Sequence, residues 1–176
     1  MNRSSVVGAS QAGLDILDAG CGTGLCGEHF KPLARRLVGV DLSLEMLKRA
    51  GVRKLYDELI MGELTAFVGA VPAAWDLIVS ADTLVYFGDL AAAMTAAHRG
   101  LRPGGTVVFT LERASEGEAP QGFRINPHGR YSHTASYVRR VLSAAGLEPR
   151  QLSHVHLRLE LKKPVEGLLV VASRPA

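Results

Sequence analysis

Two acids and three glycines hold the chemistry that can be read from this chain. Asp18 stands two residues before Gly20, and Gly20, Gly22 and Gly24 alternate with Cys21 and Thr23. Asp41 follows 23 residues after Asp18, at the end of the next apolar run. Positions without side chains let a ligand lie directly on backbone, and amides at a helix start would favour an anionic group. An acid ending a second strand can accept both hydroxyls of a ribose. Together they describe a nucleotide-type cofactor site at the carboxyl ends of parallel strands.

Spacing narrows the choice of cofactor. A dinucleotide fingerprint needs Gly or Ala three residues beyond Gly22, where this chain has Leu25. A P-loop needs a Lys after its last glycine, and none follows here at that interval. What remains is G-x-G-x-G preceded by an acid. A glycine-rich turn with no ligand is the alternative, and the second acid at Asp41 argues against it.

For these groups to converge, strands and helices must alternate. Residues 14–19 read as a buried strand and 25–36 as a helix that Pro32 kinks or splits. Residues 37–41 form the second strand, and Ser43 caps a helix over 44–50 with Glu45 in its first turn. A weakly marked strand at 59–61 precedes a strongly apolar one at 75–80. Asp89 caps a helix to about residue 99, and a Leu-Arg-Pro-Gly-Gly turn leads into a strand at 106–111. Thr134 or Ser136 opens a helix with Val138, Val141, Leu142 and Ala145 on one face, stopped by Gly146 and Pro149. Val155, Leu157, Leu159 and Leu161 then alternate with His154, His156, Arg158 and Glu160, the pattern of a half-exposed edge strand. Lys162-Lys163-Pro164 turns it back into the apolar run 167–172, which implies a last strand inserted antiparallel between its neighbours.

Composition sets the outer limits. The chain has 176 residues, 47% of them apolar, enough for one domain with both sheet faces covered. Residues 1–13 read as an N-terminal extension and 14–176 as the domain. No apolar run approaches the ~20 residues of a membrane span. The start, Met1-Asn2-Arg3-Ser4-Ser5, lacks the apolar core of a secretory signal, so a cytoplasmic location is expected. Cys21 and Cys26 are the only cysteines, too few for a disulfide framework or a four-ligand metal site. His154 and His156 lack a third ligand nearby and read as an exposed polar face, so no metal is expected. Residues 113–163 hold nine basic and four acidic residues within a chain of net charge +3. Without interleaved aromatics to stack bases, this reads as a solvated surface and not as a nucleic-acid face.

The string Leu17-Asp18-Ala19-Gly20-Cys21-Gly22-Thr23-Gly24-Leu25, with Val38-Gly39-Val40-Asp41-Leu42-Ser43, resembles the class I S-adenosylmethionine-dependent methyltransferases. Leu55-Tyr56-Asp57, Ala81-Asp82-Thr83-Leu84, Tyr86-Phe87-Gly88-Asp89-Leu90 and Gly129-Arg130-Tyr131-Ser132-His133 resemble a bacterial group often linked to tetratricopeptide repeats. The resemblance implies an α/β, Rossmann-like doubly wound seven-stranded sheet, mostly parallel with the last strand antiparallel, and S-adenosyl-L-methionine as cofactor. It implies that Asp18 organises the amino end of that cofactor and that Gly20, Cys21, Gly22 and Gly24 cradle its methionine part. Asp41 would bind the ribose, Leu42 and Met46 would flank the adenine, and Glu63 with Leu64 would meet its edge. For Leu42 and Met46, ordinary helix packing is the alternative. Ser80 and Ala81 would end beside the sulfonium. Methyl transfer needs mainly placement, with a general base where the nucleophile must lose a proton. His133 is the first candidate for that base, followed by Tyr86 and Asp82. The acceptor would be a small molecule or a protein side chain. A cofactor-binding regulatory or assembly module without turnover is the competing reading.

Overall fold

The computed structural model describes residues 13–160 and 163–176, so the expected extension lies outside the described residues save for Gly13. The elements run β1 (Leu14–Ala19), α1 (Gly27–Phe30), β2 (Ala34–Asp41), α2 (Leu44–Val52), β3 (Glu58–Met61), α3 (Leu64–Ala70) and β4 (Trp75–Ser80). They continue with α4 (Ala91–Gly100), β5 (Leu101–Arg113), β6 (Phe123–Ile125), β7 (Tyr131–His133), α5 (Ala135–Ala144), β8 (Glu148–Glu160) and β9 (Lys163–Ser173).

β1 pairs in parallel with β2 on one side and β4 on the other. β3 extends the sheet beyond β2, and β5 beyond β4, both parallel. β9 runs antiparallel to β5 and to β8, which places the last strand between its neighbours as the apolar pattern implies. The chain winds outward from β1 in one direction and then resumes at β4 in the other. A crevice must therefore open at the carboxyl ends of β1 and β4.

The apolar runs are continuous because alternate residues serve opposite faces. Leu17, Val40, Ile78, Phe109 and Leu168 pack on one face with Val68, Met94 and Leu142 from α3, α4 and α5. Ile16, Leu37, Leu77 and Val79 face the other way, towards Phe30 and Tyr56.

Three features depart from expectation. The helix expected over 25–36 shrinks to the four residues of α1 and a 3-10 turn at Lys31–Leu33. Pro32 sits at the start of that turn, where its missing N–H matters least, and Ala34 is already extended at φ −88°, ψ 130°. Helix α3 occupies a stretch in which no helix was expected, its first turn held by a side-chain cap from Glu63. The sheet has nine strands, not seven. The extra pair, β6 and β7, is an antiparallel ribbon of three-residue strands whose β7 runs beside the end of β5. Strands that short carry no readable alternation. With the ribbon set aside, the order is β3-β2-β1-β4-β5-β9-β8.

One irregularity in β8 changes which way a side chain points. His156 pairs with Glu166 but Arg158 pairs with Val165, so the register shifts between them. Such a bulge re-aims the residues that follow it. Arg158 leaves the His154–His156 face and reaches Glu112 at the end of β5.

Candidate active site

A cavity of about 570 Å³ opens at the crevice. Twelve of the residues expected at the site line it: Asp18, Gly20, Cys21, Gly22, Asp41 and Leu42 from β1, β2 and their loops, and Met46, Glu63, Leu64, Ala81, Asp82 and Tyr86 beyond them. Gly24, Ser80 and His133 do not.

The glycine loop is shaped by close approach. Gly20 has φ +81°, and a Cβ there would fall 2.3 Å from the Thr83 side chain. Thr83 Oγ1 in turn donates to the Gly20 carbonyl at 3.1 Å, fastening the β4 loop to the β1 loop. The loop amides are spoken for. Gly20 and Cys21 both donate to the Val40 carbonyl, at 2.8 and 3.0 Å, and Gly24 donates to Cys21. Gly22 donates to Asp41 Oδ2 at 2.9 Å, while Asp41 Oδ1 accepts from the Ser43 amide at 2.8 Å. The expected attraction for an anionic group therefore fails, because these amides are used internally and α1 starts only at Gly27.

The charged side chains lining the cavity are all carboxylates. Asp18, Asp41, Glu63 and Asp82 line it, with no Lys, Arg or His among the lining residues. Asp18 is 1% exposed and accepts from the Tyr56 hydroxyl at 2.6 Å. Burial pushes its carboxyl up to about 6, the Tyr56 hydrogen bond pulls the other way, and the Asp41 charge adds to the rise. Burial likewise raises the Cys21 and Cys26 thiols, to about 12 and 11, so both are neutral thiols in the wall. Among the described residues no group of His, Cys, Asp and Glu could hold a metal ion.

Leu42 is 71% exposed and Met46 37%, so both serve the cavity wall and not the core. Glu63 caps α3, accepting from the Thr65 and Ala66 amides at 2.9 and 2.7 Å. Those two amides outweigh partial burial and hold its carboxyl below the ordinary range.

The residues outside the cavity have other work. Gly24 packs against Tyr56 and Ala50. Ser80 Oγ donates to the Ala19 carbonyl at 2.8 Å and ties β4 to β1. His133 is entirely buried, and its Nε2–H donates to the Gly88 carbonyl at 2.9 Å. Its ring lies against Phe123 and Tyr137, and burial lowers its pKa. A histidine pinned there cannot take a proton from a group in the cavity. It braces the segment that carries Tyr86 and Phe87, two of the cavity's lining residues.

Asp82 and Tyr86 line the cavity from the segment after β4. Asp82 adopts φ +53°, rare for a residue with a side chain, and its amide donates to Thr110 Oγ1 at 2.9 Å. Asp82 Oδ1 accepts from Arg158 Nη1 at 2.8 Å, and the same guanidinium pairs with buried Glu112. Four of the nine basic residues of 113–163 are paired in this way, for Arg130 also faces Glu112, Arg124 faces Glu118 and Arg150 faces Glu148. Tyr56 is the residue that sequence reasoning passed over. Its motif was visible, but nothing in the spacing tied it to Asp18.

A family profile described as a methyltransferase domain matches residues 17–109. The chain belongs to that family. This methyltransferase domain is 29% identical over 160 residues to a malonyl-[acyl-carrier protein] O-methyltransferase of Yersinia pestis, covering 85% of the chain and 60% of that protein. It is 29% identical over 164 residues to a ubiquinone biosynthesis O-methyltransferase of Thiobacillus denitrificans, covering 82% and 69%. The first curated relatives are thus only partly spanned, the Serratia marcescens malonyl enzyme to 40% of its length. A solved S-adenosylmethionine-dependent methyltransferase of Methanosarcina mazei matches with TM-score 0.74 at 15% identity over 94% of both chains. A [4+2]-cyclase matches with TM-score 0.76 at 18% identity, over 94% of this chain and 76% of its own. At such identities the likeness shows the fold, and the cyclase shows that the fold carries more than one reaction.

Proposed function

We propose that this domain transfers a methyl group from S-adenosylmethionine to a small molecule or a protein side chain. One observation carries the reading. The cavity presents four carboxylates and no basic side chain, and four of the five amides of loop 20–24 are already donated. Such a site disfavours a pyrophosphate and suits a nucleoside that bears positive charge.

Asp41 would hold the ribose hydroxyls, with Leu42 and Met46 on the faces of the base. Glu63, whose oxygens keep a second lone pair each beside the amides of α3, and Leu64 would meet the base edge. The bare backbone of Gly20, Cys21 and Gly22 would lie along the methionine part, and Asp18 would meet its ammonium. When bound, the sulfonium supplies an already activated methyl group. The chain adds placement, which can supply ~7–11 kcal/mol when a nucleophile is held in line. Ala81, Asp82, Thr83, Tyr86 and Phe87 form the wall that would hold it. With His133 outside the cavity, Asp82 and Tyr86 orient the acceptor, and Asp82 is itself held by Arg158. All three named relatives are O-methyltransferases, so an oxygen nucleophile is the first to test. The likeness to repeat-linked bacterial methyltransferases supports the same assignment at Tyr86–Leu90 and Gly129–His133.

Calorimetric titration with S-adenosylmethionine and S-adenosylhomocysteine tests the donor site. Release of S-adenosylhomocysteine with added cell extract tests turnover. Binding with turnover supports the reading, and binding with none favours a regulatory module. Nicotinamide dinucleotide binding in their place overturns it.

A further inference from the structure

We propose that Tyr56 is a positioning residue of the donor site: seated in a slot made by three glycines, its hydroxyl holds the buried Asp18 carboxylate ready for the donor's ammonium. This rests on the methyl-donor reading above. The slot is the first observation. A Cβ on Gly24, Gly27 or Gly39 would fall 3.0, 2.8 or 3.0 Å from an atom of the Tyr56 side chain. The three glycines come from the loop after β1, the start of α1 and the middle of β2. Gly24 has φ +81° and needs glycine for its backbone, but Gly27 and Gly39 are not among the positive-φ glycines. Their missing side chains make room for the ring.

The second observation is where the ring leads. The Tyr56 hydroxyl donates to Asp18 Oδ2 at 2.6 Å, yet Tyr56 does not line the cavity, whereas Asp18 does. Tyr56 therefore acts from behind, through Asp18. The neighbouring Asp57 anchors the segment: its Oδ2 accepts from the Leu37 amide at 2.8 Å, and its amide donates to the Leu37 carbonyl at 2.9 Å. The Leu55-Tyr56-Asp57 motif thus becomes intelligible as a strut from β2 to the floor of the site.

The surroundings make the hydroxyl matter. Asp18 feels Asp41 from β2, which disfavours its charge, and the thiols of Cys21 and Cys26 from the loop are uncharged. Among the influences on Asp18, the Tyr56 hydrogen bond alone favours the anion. Without it, a carboxyl 1% exposed would meet the donor as a neutral acid over a wider range of pH.

Calorimetry of S-adenosylhomocysteine binding between pH 5 and pH 8, on the whole chain, reads this directly. In the wild type, affinity should begin to fall as pH drops below about 6, where Asp18 takes a proton. Tyr56→Phe keeps the ring in its slot and removes the hydroxyl, and the bend should move up by about one pH unit. Asp18→Asn should remove the bend, alone and combined with Tyr56→Phe. A role confined to packing would lower affinity without moving the bend. An unmoved bend in Tyr56→Phe, or a bend persisting in Asp18→Asn, overturns the proposal while leaving the donor site intact. Failure of the wild type to bind S-adenosylhomocysteine at pH 8 overturns the donor reading and this proposal with it.

Discussion

Asp41 does two jobs at once, and that makes it the most exposed single point in the site. Its two oxygens accept the Gly22 and Ser43 amides, so the acid proposed to hold the ribose also fixes the glycine loop. Replacing it with Ala strips the ligand of its partner and frees the loop from the end of β2. Affinity for S-adenosylmethionine should drop about tenfold or more, the scale of one lost hydrogen bond to a polar group that stays buried. Calorimetry decides it, and an unchanged affinity would remove Asp41 from the ribose. Asp18 and Asp41 were legible in the sequence because an acid at the end of a buried strand has few other reasons to be there. Tyr56 was not legible in that sense. Its partner lies 38 residues away, and its slot draws glycines from three elements that only the folded sheet brings together. His133 shows the opposite failure: a titratable residue in a suggestive motif that the fold spends on bracing Gly88.

Secondary elements were readable where an apolar run or a cap marked their ends, and α3, though nearly two turns long, was missed because its run 64–70 carries no polar face. β1, β4 and the α2 cap at Ser43 came through because buried strands and capped helices announce their ends. The ribbon β6–β7 was lost because three residues make no pattern. The β8 bulge was lost for a subtler reason. Strict alternation from His154 to Glu160 puts Arg158 on the polar edge face, and only pairing with β9 shows the slipped register. That slip places the Arg158 guanidinium between Asp82 and Glu112, whose side chain is 5% exposed. Arg158→Met should therefore destabilise the fold by roughly 1–3 kcal/mol, because a buried carboxylate loses its nearest cation. Arg130, His128 and Asn126 around Glu112 keep the loss from being larger. Urea unfolding measures it, and adding Glu112→Gln should recover much of the deficit by removing the stranded charge. No recovery in the double variant would mean that Arg158 matters through packing and not through the pair.

Over the whole molecule, two buried groups tilt the pH dependence of stability in opposite directions. Asp18 has its carboxyl raised to about 6 from an ordinary 3.8, so the folded state holds a proton that the unfolded chain releases. Stability attributable to Asp18 is present below about pH 4 and lost as pH rises to about 6. His133 is lowered from 6.5 by burial, so the unfolded chain takes up a proton that the folded state refuses. Its contribution is present above about pH 6.5 and is lost as pH falls through that value. Between those limits the two slopes oppose one another and flatten the wild-type curve. Further down, Asp15, lowered chiefly by its Arg35 hydrogen bond, and Asp57, lowered chiefly by the Leu37 amide, add stability that is lost only in acid. Asp18→Asn keeps an acceptor for the Tyr56 hydroxyl and removes the charge. At pH 7 it should stabilise the ligand-free protein by roughly 2–3 kcal/mol, the linkage value of a shift of about two units. At pH 4 the gain should vanish. Because His133 then acts unopposed, the variant should lose stability steadily as pH falls from 7 to 5, where the wild type changes little. Urea unfolding of both proteins at pH 4, 5.5 and 7 separates the outcomes. An Asp18→Asn variant no more stable than wild type at pH 7 would mean that Asp18 is not a strained acid, and that the fold gives up nothing to hold it in the site.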